Sequence, residues 1–149
     1  MSENLNRIKR IRNLLKKKNF DGYILTTFDE YLNEYAPNYN QRLRWLTGFT
    51  GSSGLVLLID DRCIFFTDGR YLVQAKKEIS DQFEIIDLSC QDIFDWLLKN
   101  VSKEKHICVD ENINSIPFIQ KLQKVANKNR ISLGLSKKIL VDNIRNVQV

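Results

Sequence analysis

Two short, almost wholly apolar runs, Leu55-Val56-Leu57-Leu58-Ile59 and Cys63-Ile64-Phe65-Phe66-Thr67, stand on either side of Asp60-Asp61-Arg62, and no other feature restricts the fold so strongly. Runs of this length bounded by turn-forming residues are buried strands and are too short for helices. A connection of so few residues makes them antiparallel neighbours, as a hairpin or the start of a meander. The rest of the chain must therefore supply layers that cover a sheet.

Helical spacing of Leu5, Ile8, Ile11, Leu14 and Leu15 predicts an opening helix, and Lys16, Lys17 and Lys18 complement the negative end of its dipole. Gly22 then introduces Tyr23-Ile24-Leu25, which reads as a first strand. The polar, aromatic segment from Asp29 to Thr47 contains Pro37 and is not one regular element; its arginines are expected in a loop. Beyond the hairpin, a helix is predicted over Tyr71 to Ile79, a strand over Phe83 to Asp87 and a helix over Asp92 to Val101. His106 to Val109 and Ile131 to Leu133 read as strands around a helix from about Ser115 to Asn127, whose first turn accommodates Pro117. This order predicts an α/β fold, a mixed five- to six-stranded sheet flanked by helices.

With 149 residues, 43% of them hydrophobic and 28% charged, the chain has the composition of one soluble domain. It contains no apolar stretch near the roughly 18 residues of a membrane span, and its basic amino terminus lacks the apolar centre of a secretory signal, so a cytoplasmic protein without membrane contact is expected. The formal charge of +5 is spread among acids along the chain, which favours a solvated surface over nucleic-acid binding. Cys63, Cys90 and Cys108 are too widely spaced for a disulfide framework or a zinc site and are expected to be buried thiols.

Little in the chain resembles catalytic machinery. His106 is the single histidine, so no histidine pair can bind zinc, and it reads as a strand-edge residue. Asp60, Asp68, Asp87 and Asp110 fall near predicted strand ends, where carboxylates either hold metals or form turns and helix caps; the second role is expected. The glycines of Gly48-Phe49-Thr50-Gly51-Ser52-Ser53-Gly54 lack a following Gly-Lys-Ser/Thr and precede a strand, so they serve tight turning into the hairpin and not phosphate binding.

Three segments carry a resemblance. Asn33-Glu34-Tyr35-Ala36-Pro37, the run from Arg42-Leu43-Arg44-Trp45-Leu46-Thr47 through Gly54, and Thr67-Asp68-Gly69-Arg70-Tyr71-Leu72-Val73-Gln74-Ala75 resemble, in this order, the first domain of aminopeptidase P in the creatinase and prolidase superfamily. The resemblance is to the longer, three-domain members. It implies a creatinase amino-terminal domain with a ribonuclease H-like motif over residues 1–136, and residues 137–149, including Ile139 to Ile144, as the start of a connection to a second domain. It further implies a catalytic domain outside this chain, holding two divalent metal ions, expected to be manganese, and cleaving the bond before a proline at the second position of a peptide. This chain would then contain no catalytic or metal-binding residue and would have that catalytic domain and the peptide as partners, with a homodimer left open.

Within the same resemblance, Arg42, and more weakly Arg44, are substrate-binding candidates, because a guanidinium fork suits a peptide carbonyl or carboxylate. Trp45 and Phe49 read as core anchors ahead of cleft-lining residues. Asp68, Gly69, Arg70 and Tyr71 form an architectural motif in which Asp68 caps the following helix. Two alternatives of other classes stand beside this reading: a free-standing interaction module that retains the fold, and a nucleic-acid-processing domain of ribonuclease H-like topology.

Overall fold

A computed structural model describes residues 2–26, 41–51, 54–111 and 114–137. The opening helix α1 spans Ser2–Lys17 and is followed by β1, Gly22–Thr26, and by a short helix α2, Gln41–Thr47. The hairpin strands are β2, Leu55–Ile59, and β3, Arg62–Thr67; a 3-10 turn over Gly69–Tyr71 then leads into α3, Leu72–Glu78. The remaining elements are β4, Phe83–Asp87; α4, Ile93–Asn100; β5, His106–Asp110; α5, Ile116–Lys128; and β6, Ser132–Ser136.

One six-stranded mixed sheet has the order β4-β3-β2-β1-β5-β6. β2 is antiparallel to both β1 and β3, with Leu57 opposite Ile24 and Ile64, while the β3-β4, β1-β5 and β5-β6 pairs are parallel. Asp60 takes the left-handed conformation at φ 51° in the hairpin turn, which a short polar side chain tolerates better than a branched one.

Alternate side chains of the apolar strands enter two separate cores, which explains why no polar residue interrupts them. On one face Tyr23, Leu25, Val56, Leu58, Phe65 and Cys108 pack with Ile8, Ile11 and Leu15 of α1, Leu43 and Leu46 of α2, and Ala75 of α3. On the other, Ile24, Leu57, Ile64, Phe66, Ile107 and Val109 meet Ile93, Trp96 and Leu97 of α4 and Leu122, Val125 and Ala126 of α5. Ser115 caps α5 by accepting from the Phe118 amide, and Pro117 lies in the first turn, as the sequence predicts.

Three expectations require correction. Arg42 and Arg44 lie on α2 and not in a loop; burial of Leu43 and Leu46 drives this turn of helix against α1. The helix predicted from Tyr71 begins as a 3-10 turn, with α-helical bonding from Leu72. Cys63 and Cys108 are buried, but Cys90 is exposed, because it sits in the turn after β4 and beyond either core. The Asn33 to Pro37 motif, Ser52-Ser53 and the Ile139 to Ile144 segment lie outside the described residues.

Candidate functional site

Helix α2 is anchored from below and tied at its end. Leu43 and Leu46 are fully buried, and α1 reaches across to the carbonyl of Trp45 through Asn4 Nδ2 at 3.0 Å and Arg7 Nη1 at 2.7 Å. The Arg7 guanidinium also lies 4.6 Å from the centroid of the Trp45 ring. Trp45 is therefore a clamp between two helices, consistent with the anchor reading. At the carboxyl end Gly48 adopts φ 86° and donates from its amide to the Arg44 carbonyl, while the Thr47 hydroxyl donates to the Leu43 carbonyl and accepts from the Phe49 amide. This left-handed glycine is the ordinary means of stopping a helix and turning the chain.

The turned segment is held by α3. Glu78 accepts from the Thr50 amide at 2.8 Å and the Thr50 hydroxyl at 2.7 Å, and Gln74 Nε2 donates to Thr50 Oγ1 at 2.8 Å. Burial pushes the Glu78 carboxyl up, but the Thr50 and Gln74 hydrogen bonds and the Arg44 charge outweigh it and hold the group below the usual carboxylate range.

Arg42 and Arg44 project differently from α2. Two residues correspond to about 200° around a helix, so they occupy opposite sides. Arg42 is half-buried and Arg44 is exposed, with its charge acting toward Glu78. The helix thus directs the two candidates to different sides.

Asp68 and its neighbours form a closed corner after β3. The Asp68 carboxylate accepts from the Arg70 amide at 2.9 Å and from the Arg70 guanidinium at 3.2 and 3.0 Å, a bidentate pairing whose hydrogen bonds hold Asp68 below its ordinary pKa. Arg70 also lies 5.4 Å from the Tyr71 ring centroid. Tyr71 in turn meets Phe49 edge-on at 6.0 Å, and Phe49 meets Phe65 at 4.9 Å. Phe49 is fully buried, so it is a core anchor that links the corner to the segment after α2. Gly51 fits beneath these rings: a Cβ there would lie 2.3 Å from Phe49 Cζ and 3.0 Å from Tyr71 Cδ1. A Cβ at Gly69 would meet only Asp87 Oδ2, at 3.7 Å, an ordinary contact. The motif engages Arg70 internally and meets the segment after α2 through Tyr71 and Phe49.

A buried polar cluster at the carboxyl ends of β1 and β5 has no counterpart in the sequence reading. The Tyr23 hydroxyl donates to the Asp110 carboxylate, Asn114 Nδ2 donates to the Asp110 carbonyl at 2.7 Å, and Thr26 Oγ1 donates to Asn114 Oδ1 at 2.9 Å. Asp110 is fully buried, and its carboxylate accepts from Tyr23 across the sheet, a contact beyond the turn or cap role expected of it. The pairing of β1 with β5 brings together residues up to 88 positions apart, and Tyr23 reads locally as an apolar strand residue. No sequence pattern signals this contact.

The other aspartates separate. Asp60 pairs with Lys105 at 2.9 Å, and Asp87 accepts from the Ser89 amide at 2.9 Å. His106 stands in β5 against Phe20, with ring centroids 4.4 Å apart. Among the described residues no group of three His, Cys, Asp or Glu side chains is placed to hold a metal ion.

Comparison with known proteins agrees with this architecture. The family model of the Creatinase/Prolidase N-terminal domain matches residues 7–147. Xaa-Pro aminopeptidase 1 of Dictyostelium discoideum is 28% identical over 144 residues, covering 93% of this chain and 23% of that protein. Aminopeptidase P1 of Lotus japonicus is 29% identical over 142 residues, covering 93% of this chain and 22% of that protein. The X-prolyl aminopeptidase of Caenorhabditis elegans, described as a cytosolic enzyme with a di-nuclear active site, superposes with a TM-score of 0.88 at 22% identity, over 98% of this chain and 26% of that one. An aminopeptidase P structure from Streptococcus thermophilus gives a TM-score of 0.71 at 22% identity, over 95% of this chain and 98% of that one. The chain spans less than a quarter of the length of these two curated relatives. By the match along nearly its whole length, it belongs to the creatinase/prolidase N-terminal domain family.

Proposed function

We propose that this chain is the non-catalytic amino-terminal domain of an Xaa-Pro aminopeptidase, and that it walls the substrate cleft of an enzyme that removes the residue preceding proline. The relatives named above are aminopeptidases of this kind, and the di-nuclear centre of the nematode enzyme is the model for two divalent ions in a separate catalytic domain. In this reading residues 1–136 are the domain, residues 137–149 begin the connection onward, and the cytosol is the compartment. The catalytic domain and a peptide with proline at its second position are the partners.

The observation that carries the proposal is the bracing of α2. A seven-residue helix gains little stability by itself, yet here it is pinned by Asn4 and Arg7, stopped by Gly48 and supported through Phe49 by the Asp68 corner. Such support suits a helix that must hold a side chain in a fixed place, and Arg42 is the cation it carries on its half-buried side. Its role would be to hold a peptide carbonyl or carboxylate while chemistry occurs in the other domain. Asp68, Gly69, Arg70 and Tyr71 would position that helix, and Arg44 would contribute mainly through Glu78.

The test is Arg42→Ala and Arg42→Lys in the full-length enzyme. Loss of a charge-assisted hydrogen bond, worth about 1.5–3 kcal/mol, lowers kcat/KM roughly tenfold to a hundredfold. Lysine recovers only part of this, since it lacks the planar fork. Wild-type efficiency in both folded variants removes Arg42 from the substrate site.

A further inference from the structure

The two edges of the sheet differ in how they are protected. β4, at one edge, carries Glu84 and Asp87, and Glu84 is engaged by Arg62 of the neighbouring strand at 2.7 Å. Charges of this sort keep an edge from pairing with another chain. β6, at the other, reads Ser132-Leu133-Gly134-Leu135-Ser136 and contains no charge, proline or bulge-forming insertion. Among the described residues no strand lies beyond it.

The hydrogen bonding of β6 establishes which residues face outward. Ser132 donates its amide to the Lys105 carbonyl, and Ser136 accepts from the Glu111 amide, so Ser132, Gly134 and Ser136 direct their main-chain groups toward β5. In a strand the intervening residues direct theirs the opposite way. The amides and carbonyls of Leu133 and Leu135 therefore lie along the outer edge, and the Leu135 side chain is 46% exposed.

This strand is a palindrome, and its symmetry matches the hydrogen-bonding phase. We propose that β6 pairs with β6 of a second copy of this chain, antiparallel, about a two-fold axis at Gly134. Leu133 of each copy then lies opposite Leu135 of the other and exchanges both main-chain hydrogen bonds with it, giving four bonds between the leucines. Gly134 faces itself as a non-hydrogen-bonded pair, where backbones approach most closely and a side chain would obstruct most. The other demand on Gly134 is internal, since a Cβ there would lie 2.4 Å from Phe20 Cε1. A register displaced by one residue would bring inward-directed groups to the seam and lose the bonds. Pairing of two five-residue strands covers only several hundred Å², below the roughly 1,000 Å² of stable interfaces, so the dimer is weak. Because each copy carries a formal charge of +5, added salt strengthens association.

Sedimentation and amide-resolved NMR on the 149-residue chain, from about 10 µM to about 1 mM, test the seam. The expected result is a mass that rises with concentration while the Leu133 and Leu135 amides shift and gain exchange protection and the Ser132 and Gly134 amides are protected throughout. Leu135→Pro removes one outward donor without removing a bond to β5, and Leu135→Lys keeps the donor but places like charges along the seam. Each should raise the association midpoint at least tenfold with the melting transition retained. A monomer at every concentration, or association that persists in both folded variants or leaves the Leu133 and Leu135 amides unchanged, overturns the proposal.

Discussion

Gly54 stands where the hairpin meets the helix that carries Arg42, and replacing it with alanine tests that packing directly. The added Cβ would lie 2.6 Å from Phe65 Cζ and 2.9 Å from Leu43 Cδ2. Phe65 is fully buried and Leu43 is 1% exposed, so neither can move without displacing other core atoms. Gly54 is not in the left-handed region, where alanine would be strained by its backbone alone. Without the steric conflict, Gly54→Ala would stabilise the fold by about 0.4–1 kcal/mol through the unfolded chain. Overpacking instead costs about 1–3 kcal/mol, so the predicted net effect is destabilisation. For a domain of this size that lowers Tm by about 3–10 °C. Leu43→Ala alone should cost about 2–5 kcal/mol by opening a cavity beside α2. The double variant should be less unstable than the sum of the singles by at least about 1 kcal/mol, because each change offsets the other. Thermal and denaturant unfolding of the four proteins gives this cycle. A Gly54→Ala protein as stable as the parent, or strict additivity, would refute the contact between the hairpin entry and α2.

Other measurements probe independent parts of the molecule. Cys90 should react with a thiol reagent in the native protein, while Cys63 and Cys108 should react only on unfolding. Burial, followed by the Asp110 charge, pushes the Cys108 thiol from an ordinary value of 9.0 up to about 12. Between these values the native state retains a proton that the unfolded chain loses, so stability should fall above about pH 9 by up to about 1.4 kcal/mol per pH unit from this thiol; denaturant midpoints should show the slope, and Cys108→Ala should reduce it. Tyr23→Phe, which removes a donor from the buried Asp110 carboxylate, should cost about 1.5–3 kcal/mol of unfolding free energy, and an unchanged midpoint would make that bond energetically silent. A chelator should leave the melting temperature of the isolated chain unchanged, and the chain should release no amino acid from an X-Pro peptide with or without manganese; turnover surviving controls for contaminating peptidase would overturn the domain assignment.

Local chemistry made much of this fold legible. The apolar runs Leu55–Ile59 and Cys63–Thr67 specify an antiparallel pair, the leucine and isoleucine spacing of α1 specifies a helix, and Ser115 with Pro117 specifies where α5 begins. Each signal lies within a few residues of the structure it determines, where propensity and periodicity act. Helix α2 was less legible because it is short and its burial depends on α1, which lies about forty residues earlier. Cys90 left its expected buried environment and Asp110 gained an unexpected partner for a related reason: a turn after β4 kept the thiol outside both cores, and the β1-β5 pairing brought Tyr23 to the carboxylate. By itself, then, the sequence determined the elements other than α2, the alternation of strands and helices, and the family resemblance. Only the tertiary structure decided that Arg42 and Arg44 face apart, that Arg70 is engaged by Asp68, and that β6 presents its leucine main-chain groups at an edge, because each depends on contacts or strand phase that local composition does not encode.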